Sequence, residues 1–267
     1  MPSQLYNFTK KTALSLVYAL PSLPVRINKK LIWVHPRARF SLTAKTFFRG
    51  EAHVQAWLTK HLKLRDVFFD VGAHHGWVSM WALLLVGKEG AVYSFEPSRA
   101  NLAVLEWHKS VNKFSQWKVI PKAVADEDAL KRQFFMIDSG DSPMNSLTSG
   151  VPGMSLMEGR NIREISIQTV TLDTFCRDTG MKPDVVKIDV EGAELLVLKG
   201  AKDLLSEVCP TLILAVHPYW LPTQQSPSQI VELLKIYGYK IFDSKGNLVE
   251  SLRSGEYLCL NNTAKLL

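Results

Sequence analysis

The sequence predicts an α/β protein built on a mostly parallel sheet with helices on both faces. Three observations predict it. Strand-like and helix-like segments alternate from residue 67 onward, as in successive β-α units. The runs VFF, VVKI and TLILAV are apolar without alternation, as strands buried on both faces are. Acidic residues stand at the ends of several of these runs, where ligands of such sheets bind.

The elements follow in order. Residues 1–50 have weak periodicity, and a short helix and a strand at LIWVH, 31–35, are expected. EAHVQAWLTKHL, 51–62, has apolar residues at 54, 57, 58 and 62, a helical stripe. VFFDV, 67–71, reads as a strand, HGWVSMWALLLVG as a helix closed by Gly87, and AVYSFEP, 91–97, as a second strand. SRANLAVLEWHKSVN, 98–112, reads as a helix with Ser98 as N-cap, and WKVIPKAVAD, 117–126, as strand three. Residues 127–164, rich in Gly, Ser, Pro and Asn, read as a long loop of the kind that is either a functional lid or disordered. ISIQTVTLDTF, 165–175, returns to strand and short helix, and VVKIDV, 185–190, is a strand running into the helix EGAELLVLKGA. TLILAVH, 211–217, is a strand, SPSQIVELLKIYG, 226–238, a helix with a Gly stop, and YKIFDS and EYLCLN an antiparallel pair.

The 267 residues suffice to bury a core without staples. The net charge of +7 is unevenly placed. Residues 1–50 hold five Lys, four Arg and no acid, while the rest holds 23 basic and 25 acidic groups. We therefore expect a basic N-terminal extension, 1–50, and one nearly neutral folded domain, 51–267. The extension suits weak contact with an anionic membrane surface. No run reaches the roughly 18 apolar residues of a membrane span. Cys176, Cys209 and Cys259 are far apart and lack metal-ligand or redox spacing, so a reducing, cytoplasmic compartment and no structural zinc are expected.

The strand ends name the site candidates. FFDVGAHHGW places Asp70, Gly72 and Gly76 around the first turn. Glycines there permit close approach of a ligand. Asp70 stands where a dinucleotide fingerprint has its first glycine, and a carboxylate there repels a diphosphate. That argues against a nicotinamide oxidoreductase. Glu96, ending strand two, stands where a ribose diol is held in nucleoside-binding α/β folds. An acid, a glycine turn and a second acid in register suggest S-adenosylmethionine, which has an amino-acid end, a sulfonium and a ribose but no phosphate.

VFFDVGAHHG, VYSFEPSRANLAVLEWHKSVN, VTLDTF and DVVKIDVEGAELLVLKGA together resemble the FkbM family of S-adenosylmethionine-dependent methyltransferases. The resemblance covers roughly residues 66–217. It implies the class I methyltransferase (Rossmann-like) fold, a seven-stranded sheet with its last strand antiparallel, and methylation of hydroxyl oxygens on sugars or other small metabolites. It implies cofactor contacts from Asp70, Gly72, Ala73 and Gly76, from Glu96 with Pro97, and from Asp126 near the adenine. It implies substrate contacts from Asn145 and Ser146. Two places depart from the family pattern: His74 and His75 in the first turn, and Ala215, where an acid is frequent. The second weighs against a metal, and none is expected.

KIDVEGAELL gathers Asp189, Glu191 and Glu194. Acids at a helix N-terminus gain about 0.3–1 kcal/mol from the dipole without any function. That does not account for Asp189, which ends a strand. Asp189 and Glu191 are assigned to the site, Asp189 also beside the cofactor, and Glu194 to a structural role, with Lys187 or Lys199 as its partner. Asp189, Glu191 and His217 are the candidate catalytic groups, His217 as a proton acceptor near neutral pH or simply as the cap of its strand. Tyr219 and Trp220 in HPYWLP are expected to line an acceptor pocket. The reading is an O-methyltransferase acting on a sugar, glycan or other small hydroxylated metabolite. The rivals are a nucleic-acid methyltransferase, against which the slightly acidic body argues, and a non-catalytic cofactor-binding module.

Overall fold

The computed structural model describes residues 22–38, 52–137, 147 and 162–261. Its strands are β1 (Leu23–Ile27), β2 (Lys30–Val34), β3 (Val67–Val71), β4 (Ala91–Phe95), β5 (Trp117–Ile120) and β6 (Ala123–Val124). They continue with β7 (Ala129–Ile137), β8 (Ile162–Val170), β9 (Val185–Ile188), β10 (Thr211–Val216), β11 (Tyr239–Phe242) and β12 (Gly255–Asn261). The α-helices are α1 (Ala52–His61), α2 (Trp77–Val86), α3 (Arg99–Val111), α4 (Leu172–Thr179), α5 (Glu194–Lys199) and α6 (Pro227–Ile236).

Seven strands form the central sheet in the order β11-β12-β10-β9-β3-β4-β5. β12 alone runs antiparallel, inserted between β11 and β10. This is the expected class I methyltransferase sheet. Its middle strands are apolar because both faces are covered: every residue of β9 is buried, as is all of β3 beyond Val67. Alternation along β3 sends Phe68 to one core and Phe69 to the other. On Phe68's side, Met80 and Leu83 of α2 and Leu105 of α3 pack with Val54 and Leu58 of α1. On Phe69's side, Phe175 of α4, Leu195 and Leu198 of α5 and Ile230 and Leu234 of α6 close the core. Each such side chain removed from water contributes about 1.5–3 kcal/mol.

Three details differ from expectation. Strand three divides at Pro121, which has no N–H to continue a ladder. β5 stays in the central sheet, while β6 joins a separate three-stranded sheet in the order β6-β8-β7. β7 occupies residues expected to be loop, and it pairs antiparallel with β8 through a register irregularity between Ala129 and Arg132. Its sequence ALKRQFFMI mixes charges into the run and lacks the clean alternation that marks a half-buried strand. The expected strand at 31–35 is β2, but its partner β1 was not anticipated because LPVRI contains a proline. Asn28 and Lys29 join them with φ of 43 and 66°, the left-handed pair that a two-residue hairpin requires. Residues 1–21 and 39–50 of the segment in which a short helix is expected lie outside the described residues.

The hairpin is packed into the body. Ile27, Ile32 and Val34 share the core of α1 and α2. Asn112 at the end of α3 accepts from the Trp33 N–H at 2.8 Å and donates to the Trp33 carbonyl at 2.9 Å. The His35 N–H donates to His108 Nε2 at 2.8 Å. Burial, then the charge of His35, holds His108 down to about 3, against a raising hydrogen bond from the His75 backbone. A group depressed in this way stabilises the fold above the unfolded pKa near 6.5 and loses that contribution as pH falls toward 3. Between pH 7.5 and 5.5 the loss from His108 is about 1.4 kcal/mol. Urea unfolding of wild type and His108→Gln at the two pH values should show the wild type losing more stability by about that amount. Equal losses would mean that His108 is not buried neutral.

Candidate active site

The parallel strands β4, β3 and β9 end side by side, and backbone bonds bring their outgoing turns together. The Gly72 and Ala73 N–H groups both donate to the Phe95 carbonyl at 3.1 Å, and the Asp189 N–H donates to the Val71 carbonyl at 3.0 Å. Gly72 has φ of +82°, and a Cβ placed there would lie 1.9 Å from the Asp189 carbonyl oxygen. Only glycine lets the two turns run this close. Gly76, at φ of +78°, likewise leaves room for Leu105 and Trp117.

Above this junction lies a cleft with two lobes, each enclosing about 510 Å³ out to its mouth. Gly72, His74, Asp189 and Glu191 border both lobes. The first also has Glu96, Pro97 and Asn101 on one side and the apolar Phe95, Ala123, Val124, Phe134 and Leu147 on the other. Glu96 is only 5% exposed. Its Oε2 accepts from the His74 N–H and its Oε1 from the Ser98 N–H, each at 2.9 Å. Burial pushes its carboxyl up to about 7, against the lowering hydrogen bonds of Ser98, Asn101 and His74 and helped by the nearby Asp70. A carboxylate offers about four lone-pair sites, and with His74, Ser98 and Asn101 taking three, about one remains for a ligand's hydroxyl. An oriented acid next to an apolar slot fits a ribose next to a planar base.

The second lobe is bordered by Asp70, Ala73, His75 and Lys187. Asp70 is buried, and its Oδ2 accepts from Ser79 Oγ at 2.5 Å. Ser79 in turn meets Ser94 Oγ at 2.7 Å, which accepts from Trp117 Nε1. Asp70 and Lys187 are register partners on β3 and β9. Lys187 Nζ donates to Asp189 Oδ2 at 2.8 Å. Sequence reading gave Lys187 no place in the site. A lysine inside the apolar run VVKI was the available signal, since lysines are almost never fully buried unless paired.

The acidic cluster is arranged differently from the expectation that the helix begins at Glu191. Glu191 lies before α5, in a turn with φ of 51°. Glu194, the first residue of α5, is fully buried. Its Oε1 accepts from the Gly192 N–H at 3.0 Å and meets His217 Nδ1 at 2.7 Å, so its partner is His217 rather than Lys187 or Lys199. His217 Nε2 is 3.7 Å from both Asp189 Oδ1 and Glu191 Oε2. Burial would lower His217, but the bond to Glu194 and the charges of Glu191 and Asp189 outweigh it and hold the imidazole up to about 9. The ring therefore holds a second proton more firmly than a free imidazole does. Burial pushes Glu191 up to about 7, with His217 opposing and Asp189 and Glu194 adding to the rise.

Other expected residues fall elsewhere. Asp126 is absent from the residues lining the cleft; its Oδ1 accepts from Arg132 Nη1 at 2.7 Å on the flank of the small sheet. The break at Pro121 explains this, because β6 turns away and Ala123 and Val124 take the lining positions. Tyr219 is 67% exposed, and neither it nor Trp220 lines the cleft. The Trp220 carbonyl instead lies against Gly192, 2.0 Å from where a Cβ would stand. Trp77 and Trp81 pack together on α2, as core residues do. Asn145 and Ser146 lie outside the described residues.

A ligand that needs Glu96 and Gly72 should lose affinity with either. S-adenosylmethionine at about 100 times its dissociation constant should add roughly 2.7 kcal/mol of apparent stability to wild type. Thermal unfolding should show that shift abolished in Glu96→Ala. Gly72→Ala should lose the shift and lower the ligand-free midpoint as well, because its Cβ has no space.

The methyltransferase FkbM domain matches residues 70–241 of the 267. No curated protein sequence matches the chain. Among solved structures, the methyltransferase FkbM of Methylobacillus flagellatus KT is 20% identical, with a TM-score of 0.45 over 73% of this chain and 43% of that one. This chain thus spans less than half the length of that protein. Precorrin-6y C5,15-methyltransferase of Geobacter metallireducens GS-15 is 13% identical, with a TM-score of 0.44 over 79% of this chain and 87% of that one. Fibrillarin of Aeropyrum pernix, solved with natively bound S-adenosyl-L-methionine, is 12% identical, with a TM-score of 0.43 over 78% of this chain and 73% of that one. With the domain match running from the end of β3 into β11, the chain belongs to the FkbM methyltransferase family.

Proposed function

We propose that the chain is an O-methyltransferase that acts on a hydroxyl of a sugar, glycan or other small hydroxylated metabolite. The observation that carries the reading is the meeting of Asp189, Glu191 and His217 at the ends of β9 and β10, with both carboxylates on the wall of the cofactor cleft. S-adenosylmethionine supplies a methyl group already activated on a sulfonium. The chain's own work is to hold the acceptor oxygen in position and to relieve it of its proton. Asp189 and Glu191 face the cleft where that proton must go. Lys187 anchors Asp189, and Glu194 anchors His217. On this reading Asp70, Gly72, Ala73, Gly76, Glu96 and Pro97 serve the methyl donor. Asn145, Ser146, Tyr219 and Trp220 serve the acceptor from the loops above, and residues 51–267 form the catalytic unit.

Two further assignments belong to the same reading. A cytoplasmic compartment suits the three free cysteines, and no described helix is long and apolar enough to cross a membrane. Weak contact with an anionic surface fits the β1–β2 hairpin, where Leu31 and Trp33 are exposed beside Arg26, Lys29 and Lys30.

Methyl transfer to a panel of sugars and their nucleotide conjugates tests the reading. Glu191→Gln should lower kcat by about 10²–10⁴ while keeping the thermal shift with S-adenosylmethionine. Transfer to RNA or DNA alone, with affinity falling steeply with salt, would move the function to nucleic acid. Donor binding with no transfer to any acceptor would leave a binding module.

A further inference from the structure

The ends of β9 and β10 hold an arrangement that proton transfer alone does not require. His217 Nε2 stands 3.7 Å from Asp189 Oδ1 and 3.7 Å from Glu191 Oε2. Both separations exceed hydrogen-bond length. One ligand atom from each of the three residues nevertheless falls within 4.8 Å of the others. A cation with bonds of about 2.0–2.2 Å sets its nitrogen and oxygen ligands on the order of 3–3.6 Å apart. The spacing therefore suits an ion between the groups better than direct contact among them.

Glu194 is a second and separate observation. It is 0% exposed, its Oε1 meets His217 Nδ1, and its Oε2 has no hydrogen-bond partner among the described residues. An ion that displaces the Nε2 proton keeps the ring proton on Nδ1, donated to this carboxylate, and takes the Nε2 lone pair directed at Asp189 and Glu191. Metal-binding histidines are oriented by just such a carboxylate.

We propose that Asp189, Glu191 and His217 form a binding site for a divalent first-row cation of the Mn²⁺ or Zn²⁺ type. One imidazole nitrogen with two carboxylate oxygens suits these ions better than Ca²⁺ or Mg²⁺, which take oxygen ligands. Ala215 is no obstacle. It is buried in β10 opposite Glu256, and Glu191 supplies the third ligand from the turn before α5. Three protein ligands leave positions open. Asp189 and Glu191 line the cleft, so an acceptor oxygen would fill one of them; that extension rests on the O-methyltransferase reading, whereas the ion site does not.

The test is calorimetric titration of the chelator-treated full chain with Mn²⁺ and with Zn²⁺, without donor or acceptor. Pulsed electron paramagnetic resonance of the Mn²⁺ sample then looks for a coordinated nitrogen. One ion per chain is expected, with imidazole coupling, and binding at least tenfold weaker in Glu191→Gln and His217→Gln. Glu194→Gln, which touches no ion, should weaken it about 10–100-fold. A folded wild type that takes up neither ion, or uptake unchanged in Glu191→Gln, would overturn the site. The S-adenosylmethionine thermal shift on the same samples separates the two ideas. Donor binding without ion uptake overturns only the ion site, and ion uptake without donor binding overturns only the methyltransferase mechanism.

Discussion

Everything at the cleft depends on how closely the ends of β3 and β9 run. The Asp189 N–H is held by the Val71 carbonyl, and the Asp189 carbonyl occupies the place where Gly72 would have a side chain. This contact joins the glycine turn to the turn that carries the acids. It also sets the register in which Asp70 lies beside Lys187, and it puts Asp189 on the wall of both lobes. A sheet with any other neighbour for β3 would separate the glycine turn from the acidic turn. The long crossover from β3 through β4, β5 and the small sheet to β9 is what brings residues more than a hundred positions apart to one edge.

Within that frame, charge decides the details. Lys187 is almost fully buried, which for a lysine is costly without a partner. Its ammonium reaches past the strand end to Asp189, so one buried charge secures the carboxylate that faces the cleft. Glu194 does the same for His217 from the other side. The two anchored groups converge on Glu191, whose own carboxyl burial pushes up to about 7. The cluster thus consists of one adjustable acid between two fixed partners, an arrangement that local helix-dipole energetics does not explain.

Strands buried on both faces left the clearest trace in the sequence. VFFDV, VVKI and TLILAV are read correctly to within two residues because strands buried on both faces are mostly apolar, with Asp70 and Lys187 as the exceptions. The glycine turn and Glu96 were equally legible, since chain geometry dictates the one and the strand end the other. What failed has physical causes. β7 is an edge of a small sheet with many exposed positions, so its residues carry charge and its pattern resembles a loop. Asp126 was placed near the adenine by the family resemblance, whereas the chain breaks at Pro121 and the acid accepts from Arg132, outside the residues that line the cleft. Glu191 and Glu194 were placed by helical spacing, and the helix starts three residues later than that spacing assumed. The pairing of Glu194 with His217 joins two strand ends, and no local pattern reports it.

Two of the non-glycine residues in a left-handed conformation border the cleft. Among the described residues, Asn28, Lys29, Arg65, Lys113 and Cys209 adopt positive φ without being glycine, but all are in turns away from the lining. His74 at φ of 50° and Glu191 at 51° are different, because both border the two lobes. Such a conformation costs a branched-free L residue on the order of 1 kcal/mol or more. Glycine would remove the cost at either place. At position 74 the backbone N–H, not the ring, holds Glu96, so the turn itself is what the site needs. At position 191 the turn is already bent by Gly192, which the Trp220 carbonyl pins from the outside. A second glycine would keep the bend and lose the carboxylate. The chain bears the strain at Glu191 because the left-handed turn swings that side chain back toward His217, where a helical continuation would have carried it away.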